Sequence, residues 1–523
     1  MNRLLPLTAA VALVAGACAV RRADSAPARS AAGSESTPHG ASAAPSRAAD
    51  SLPPPSGITP DAPFPRIEHR ELPNGLALRV IERHVLPIVE LRLVTLSGQA
   101  TDAGKPGLAV LTGDLLKDGG AGAWSSRQLV EQVESLGADL SIRTDRDSTR
   151  ISMAVTTRDF ERALELVGTV AQRPRFDPGE FAKLKNREIE RVTNLARVSG
   201  GWGASMVLYR ELYELPTSLH PYSHYDALPS ELRRLTLADS RHWHARHFTP
   251  KNSFLVVVGD VTPDQVAAAA ERVFGSWKGE APPRPAFSPP LPPRNTRLFV
   301  VDRQGSAQSQ IYVATLGPEV ETETWAALKV TNQILGGGFA GRLFLDVREK
   351  RSLAYSTGSS VEELAQGPVP IALSAGTQTA KTAHAVQALL EHFRRIGSTP
   401  PSEDEVEIAS RYLSDSFLIS TSTVPAIADL SARLGVFGLP DDWYDDYRRD
   451  VRSVAPGTVV KTAGRYYQPG RALVVISGDA ARIAEPLRRF GEVTVVDPER
   501  DFVVEKKLAH DPTAPLGPPE KNP

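Results

Sequence analysis

The sequence is short of several things, and each shortage removes a class of protein. Cysteine occurs once in 523 residues, at Cys18, so no disulfide can form within the chain. An excess of charge of either sign is nearly absent: sixty Lys and Arg against sixty-one Asp and Glu leave −1, too little net field to draw in nucleic acid or an anionic membrane. The apolar stretch at residues 4–17 is too short to span a bilayer. Length alone points to two or more domains, since a single core rarely grows past roughly 250–300 residues.

What the N-terminus does have is Met1-Asn2-Arg3, then that apolar stretch, then VAGAC ending at Cys18. This reads as an export signal with lipoprotein-type processing over residues 1–18, Cys18 becoming the acylated first residue of a protein facing the periplasm, with the outer membrane the expected anchor. Cleavage after Ala17-Cys18-Ala19 is the rival reading and would leave a soluble periplasmic protein. Residues 19–62, rich in Ala, Ser and Pro, read as a disordered tether, and 501–523 as a disordered tail.

Between them the hydrophobic pattern alternates between periods. RIEHRELPNGLALRVIER predicts a hairpin around Pro73-Asn74-Gly75, and IVELRLVTL (88–96) a strand. Helical periodicity follows at 107–117 and 125–136, strand alternation at 139–156, helices at 158–172 and 178–196, strand FLVVVGD at 254–260 and a helix from Pro263. The plan then repeats. FTPKNSFLVVVGD (248–260) matches YQPGRALVVISGD (467–479), and LAVLTGDLL (108–116) faces LKVTNQILG (328–336) at nearly the same offset. GEAPPRPAFSPPLPPRN (279–295) is a Pro-rich linker between a first half, 63–278, and a second, 296–500.

LPNGLALRVIE, KPGLAVLTGDLLKDGG, HPYSHY, FTPKNSFLVVVGD and LGGGFAGRLFLDVREKRSLAYS, in that order, resemble the pitrilysin or M16 zinc metallopeptidase family. The resemblance implies an α+β chain of two tandem homologous domains of the LuxS/mitochondrial-processing-peptidase-like kind, each a mainly antiparallel sheet packed with helices, which in paired-subunit members combine as a clamshell around an unfolded peptide. In that family GLA is followed by His-x-x-Glu-His, whose imidazoles bind zinc and whose carboxylate activates water. Here those positions are Val110, Gly113 and Asp114. The later glutamate ligand falls at Glu188 or Glu190, which with Asp114 alone cannot build a zinc site.

The second half keeps the complementary part. REKRSLAY places Arg348 and Tyr355 seven apart, the spacing at which family members hold the substrate carbonyl with a guanidinium and a phenol. Gly336-Gly337-Gly338 lacks the Gly-Lys-Ser/Thr ending of a phosphate loop and is expected to border the peptide cavity. Other histidines are read as structural: HWHARH (242–247) as a polar helix face, Glu391-His392 in ALLEHF as an amphipathic helix with Ala388 where a first ligand would stand, and His220 and His224 as flanks of a turn. Arg351 is expected to be a solvated charge.

The expected protein is a non-zinc subunit of an exported heteromeric M16 metallopeptidase, inactive alone. It would hold no cofactor, and would lend Arg348 and Tyr355 to a zinc-bearing partner acting on unfolded peptides. The alternative is a catalytically inactive peptide-binding or scaffold protein of the cell envelope.

Overall fold

The structure is a computed structural model that describes residues 62–517 apart from 103, 216–218, 286–288, 291–294 and 321. Six strands build the first sheet: β1 (Glu68–Glu71), β2 (Ala77–Glu82), β3 (Ile88–Thr95), β4 (Leu140–Thr144), β5 (Thr149–Thr156) and β6 (Ser253–Gly259). The second holds seven: β7 (Arg297–Asp302), β8 (Gln308–Leu316), β9 (Ser356–Val361), β10 (Pro370–Gln378), β11 (Leu473–Gly478), β12 (Val493–Asp497) and β13 (Val503–Leu508). Their orders are β1-β2-β6-β3-β5-β4 and β13-β12-β7-β11-β8-β10-β9.

The duplication expected from sequence is written in these orders. β2-β6-β3-β5-β4 superposes in connectivity on β7-β11-β8-β10-β9, with one parallel pair in each, β2 with β6 and β7 with β11, and antiparallel pairs elsewhere. The matched FTPKN and YQPGR segments lead into the paired central strands β6 and β11, both buried along their length. Buried on both faces, these strands carry continuous Val, Leu and Ile rather than alternation. The β1-β2 hairpin forms where Pro73-Asn74-Gly75 predicts it, with Asn74 Nδ2 donating to the carbonyls of Phe274 (2.7 Å) and Trp277 (3.1 Å).

Helices of the first half are α1 (Leu108–Asp118), α2 (Ser126–Glu134), α3 (Phe160–Gln172), α4 (Pro178–Val198), α5 (Gly200–Leu212), α6 (Pro229–Arg234), α7 (Leu237–His247) and α8 (Pro263–Phe274). In the second are α9 (Trp325–Gly336), a π-helical segment Phe344–Lys350, α10 (Thr382–Arg395), α11 (Glu403–Ser420), α12 (Val424–Phe437), α13 (Trp443–Arg452), α14 (Pro456–Tyr466) and α15 (Ala480–Leu487). Several starts carry the signals that terminate a helix locally: Ser125 with Gln128 caps α2, Thr262 with Gln265 caps α8 ahead of Pro263, and Asp177 caps α4 ahead of Pro178.

The halves are joined by exchange. α5 of the first lies on β7, β8 and β11 of the second, while α12 of the second lies on β3 and β6 of the first. Polar contacts fasten the seam: Arg92 to Asp429, Arg79 Nη2 to Asp441 Oδ1 (2.8 Å), Arg146 Nε to Glu362 Oε1 (3.0 Å) and the Tyr213 hydroxyl to the Pro368 carbonyl (2.7 Å). The expectation of a disordered tail from residue 501 is corrected. Val503–Leu508 pairs antiparallel with β12, and Phe502 is buried against Trp202 with ring centroids 5.8 Å apart. Its charged, solvent-facing side chains resemble a tail, but main-chain bonding to β12 orders it as a Lys-bearing edge strand. The signal peptide, Cys18 and the tether lie outside the described residues.

Candidate functional site

Two places matter, one in each half. The first is the face of α1 turned toward β4 and α4, where positions 110, 113 and 114 fall on one side of the helix through i, i+3 and i+4 spacing. Val110 offers no donor atom. Gly113 is buried against β4, and a Cβ built there would lie 2.4 Å from Thr144 Oγ1. A carboxylate side chain at this position therefore requires Thr144 to move. Asp114 is the single ionisable group, its carboxyl pushed up to about 6 by burial and by the neighbouring charge of Glu188.

Glu188 is thus the α4 carboxylate that approaches α1, whereas Glu190 is exposed. Glu188 is already engaged. Arg191 Nε donates to both of its oxygens (2.8 and 2.9 Å), and Arg191 Nη2 reaches Glu188 Oε1 (2.5 Å) and Asp226 Oδ2 (2.7 Å). Asp226 in turn accepts from the Trp202 indole at 2.8 Å, tying α4 to α5. A guanidinium supplies the positive charge that holds these carboxylates together. The zinc that the resemblance implies for this place does not fit: Val110 offers no donor at the first ligand position, Asp114 offers one carboxylate at the second, and Glu188 is already paired with Arg191. Among the described residues no cluster of three or more His, Cys, Asp or Glu could hold a metal ion. Purified chain equilibrated with zinc is expected to retain well under one equivalent after gel filtration. One tightly held equivalent by elemental analysis would contradict this reading.

The second place is the turn carrying REKRSLAY. α9 ends at Gly336, where a Cβ would fall 2.7 Å from the Ser359 amide nitrogen of β9, so only glycine lets the helix end abut that strand. Gly337 and Gly338 follow, then Phe339, which is 75% exposed and meets Phe344 edge-on at 5.0 Å. Arg348 belongs to the π-helical segment, a widened turn that recurs at functional sites. Its guanidinium carbon lies 4.7 Å from the Phe344 ring centroid and 5.7 Å from that of Tyr355. Tyr355 is 84% exposed. The rings orient the guanidinium by cation–π attraction while leaving donors open to solvent, and its one ion pair, to Glu349, is loose at 3.5 Å. The structure therefore brings Arg348 and Tyr355 together at the surface with an apolar rim. An exposed Phe and Tyr beside a partly free guanidinium suit an extended peptide: rings for side chains, N–H and O–H for a carbonyl.

Phe344 was not singled out from sequence, although it stands one helical turn before Arg348, a spacing that makes helical neighbours. Arg351 was misread in part. It is exposed as expected, yet it is not only a solvated charge, for it bridges Asp346 (2.9 Å) and Glu391 (2.9 Å). The polar-face reading of HWHARH also fails: His244 and His247 are buried, bonded to the Ala171 carbonyl (2.8 Å) and Ser97 Oγ (2.9 Å), and burial pulls both imidazoles down to about 4. Of the three imidazoles His242 alone is exposed, beside Arg246. Glu391 and His392 lie on α10 as expected, and His220 and Tyr222 form a buried turn.

Two α+β repeats, each lending a helix to the other's sheet, define a two-domain fold in which α1 carries Val110, Gly113 and Asp114 at the positions of the zinc motif. Residues 80–198 match the family described as Insulinase (Peptidase family M16), and residues 234–413 the one described as Peptidase M16 inactive domain. The chain belongs to the M16 peptidase family. It is 24% identical over 353 residues to the zinc protease PqqE of Helicobacter pylori, covering 66% of this chain and 77% of that protein. To the uncharacterized zinc protease YmxG of Bacillus subtilis it is 24% identical over 307 residues, 58% of this chain and 71% of the relative. A solved peptidase M16 inactive domain from Pseudomonas fluorescens is similar with TM-score 0.73 and 25% identity, over 79% of this chain and 98% of that one. A protease from Helicobacter pylori shares the fold at TM-score 0.71 and 20% identity, over 79% and 99%.

Proposed function

We propose that the chain is the non-zinc subunit of an exported, heteromeric M16 metallopeptidase. It presents Arg348 and Tyr355, bordered by Gly336-Gly337-Gly338, to an unfolded peptide whose water and base come from a zinc-bearing partner. One observation carries the reading: an exposed phenol and a ring-oriented guanidinium are kept in the second half, while the donor positions of the first half are Val110, Gly113 and Asp114. The match of residues 234–413 to the domain described as Peptidase M16 inactive domain is consistent with a non-catalytic M16 chain. Substitution of the pair in a reconstituted complex tests it, and unchanged turnover would leave an envelope peptide-binding or scaffold role instead.

Location is part of the proposal. Cys18 as an acylated N-terminus would anchor the protein stably, because a diacylglycerol plus an amide-linked chain exceeds the marginal hold of one acyl chain. Cys18→Ser is expected to move the protein from membrane to soluble periplasmic fractions. A wild-type protein already soluble, with Val20 as its mature N-terminus, would rule out the anchor.

A further inference from the structure

The turn that carries Arg348 and Tyr355 is held from beneath by side chains of another element. Asp346, in the first turn of the π-helical segment, accepts through Oδ2 from His392 Nε2 (2.8 Å) and from Arg351 Nη2 (2.9 Å). Arg351 Nη1 donates to Glu391 Oε2 (2.9 Å), whose other oxygen accepts from Gln387 Nε2 (3.0 Å). His392, Glu391 and Gln387 all belong to α10. Burial opposes charge on Asp346 and Glu391, yet the bonds from His392 and Arg351 on one, and from Arg351 and Gln387 on the other, hold both carboxyls below the usual range.

The main chain here is strained and closely fastened. Ser352 has φ +49°, a left-handed conformation that costs a non-glycine residue roughly 1–2 kcal/mol and persists only where surroundings impose it. Lys381 Nζ holds the Ser352 carbonyl (3.1 Å), Thr377 Oγ1 the Leu353 carbonyl (2.5 Å), and the Tyr355 amide bonds the Gly376 carbonyl (2.9 Å). Between Arg348 and Tyr355 the chain thus runs through one strained residue, with Arg351 immediately before it. Arg351 is also the one side chain of the turn that reaches both the π-helical segment and α10 by ion pairs.

We propose that Arg351 is a positioning residue: by bridging Asp346 to Glu391 it fixes the direction in which Arg348, on the same π-helical segment, presents its donors to a bound peptide. The role rests on the peptide-binding reading of Arg348. The planar fork of Arg351 satisfies two carboxylates on two elements at once, which a lysine ammonium on a flexible stem does only in part.

The test uses the full chain and a fluorescein-labelled, reduced and carboxymethylated insulin B chain as the unfolded probe, read by fluorescence anisotropy. Arg348→Ala and Arg351→Ala are each expected to weaken binding about fivefold, with Arg351→Lys between wild type and Arg351→Ala. The double variant is expected to stay within about twofold of Arg348→Ala alone, because a residue acting only through another adds nothing once that other is gone. Arg342→Ala, which breaks the neighbouring ion pair to Glu405, serves as the control for general loosening and should leave affinity unchanged. If Arg351→Ala melts during purification, Glu391→Gln removes the same bridge from the other end and takes its place. Wild-type affinity for Arg351→Ala, a fully additive double variant, or an equal loss in Arg342→Ala would each overturn the positioning role. Wild-type affinity for Arg348→Ala would overturn the peptide-binding reading, and the positioning role with it.

Discussion

Arg348→Ala, in a complex reconstituted with a zinc-bearing M16 subunit, is expected to lower kcat by about ten- to a thousandfold, the range for losing one aimed donor to a developing oxyanion. Tyr355→Phe, which removes only the hydroxyl and leaves the ring over the guanidinium, should fall in the same range. Peptide affinity should change far less, by no more than about fivefold, since a neutral carbonyl gains less from these donors than the charged oxygen formed during attack. The geometry gives the reason for expecting so large a kinetic effect. Phe344 and Tyr355 both contact the guanidinium through their rings before substrate arrives, so little reorganisation is left for the chemical step. Lys350, exposed in the same segment, is the charge control, and Lys350→Ala should turn over as wild type does. Equal rates for wild type, Arg348→Ala and Tyr355→Phe, in complexes that assemble normally by sizing, would sink the catalytic-subunit proposal.

How much of this was legible in the sequence depended on whether the cause was local. The β1-β2 hairpin, the capped helices α2 and α8, and the two FTPKN-like strands were readable because a few adjacent residues determine each. The duplication was readable from two matched segments, and the strand orders bear it out. What was missed lies between elements distant in the chain. Nothing near Arg351 announces that Glu391, forty residues on, will meet it, nor that Asp226 will meet Arg191. Buried histidines were misread for the same reason: the HWHARH pattern places the rings on α7, but only packing against α3 and the Ser97 region buries His244 and His247. β13 escaped because main-chain pairing, which carries no sequence signature of its own, holds a strand whose side chains face water. The exchange of α5 and α12 between halves was likewise invisible, since an apolar helix face does not say which sheet it covers.

Glu363→Gln is expected to lower stability at pH 7 by about 2–3 kcal/mol, less than the roughly 3–5 kcal/mol of breaking a fully buried pair. The discount reflects the 27% of the Glu363 side chain that stays exposed. Glu363 accepts from Lys329 Nζ (3.2 Å) and from Arg433 Nε (2.6 Å), and Arg433 lies among the rings of Phe437, Trp443 and Tyr444. Removing the carboxylate would leave two cations in a poorly hydrated place without their counter-charge. Burial by itself would raise the Glu363 carboxyl, but the charges of Lys329 and Arg433 and their hydrogen bonds bring it down to about 2. A depressed carboxyl contributes stability that is present in full above its unfolded value and is lost as pH falls toward its folded one. The gap between wild type and Glu363→Gln should therefore be constant above about pH 5 and close progressively toward about pH 2, by denaturant melts at each pH. A gap that persists unchanged at pH 2.5 would mean that glutamine acts through shape rather than charge. The position of the residue extends the consequence to the site. Glu363 follows β9, the strand that starts beside Tyr355, and its neighbours Glu362 and Ala365 bond Arg146 and Asp147 at the tip of the β4-β5 hairpin (both 3.0 Å). Loosening this loop frees the far end of β9 and the seam between the halves together, so Glu363→Gln should also raise amide exchange in β9 and in residues 145–148, while β2 and β6, remote from the loop, stay protected.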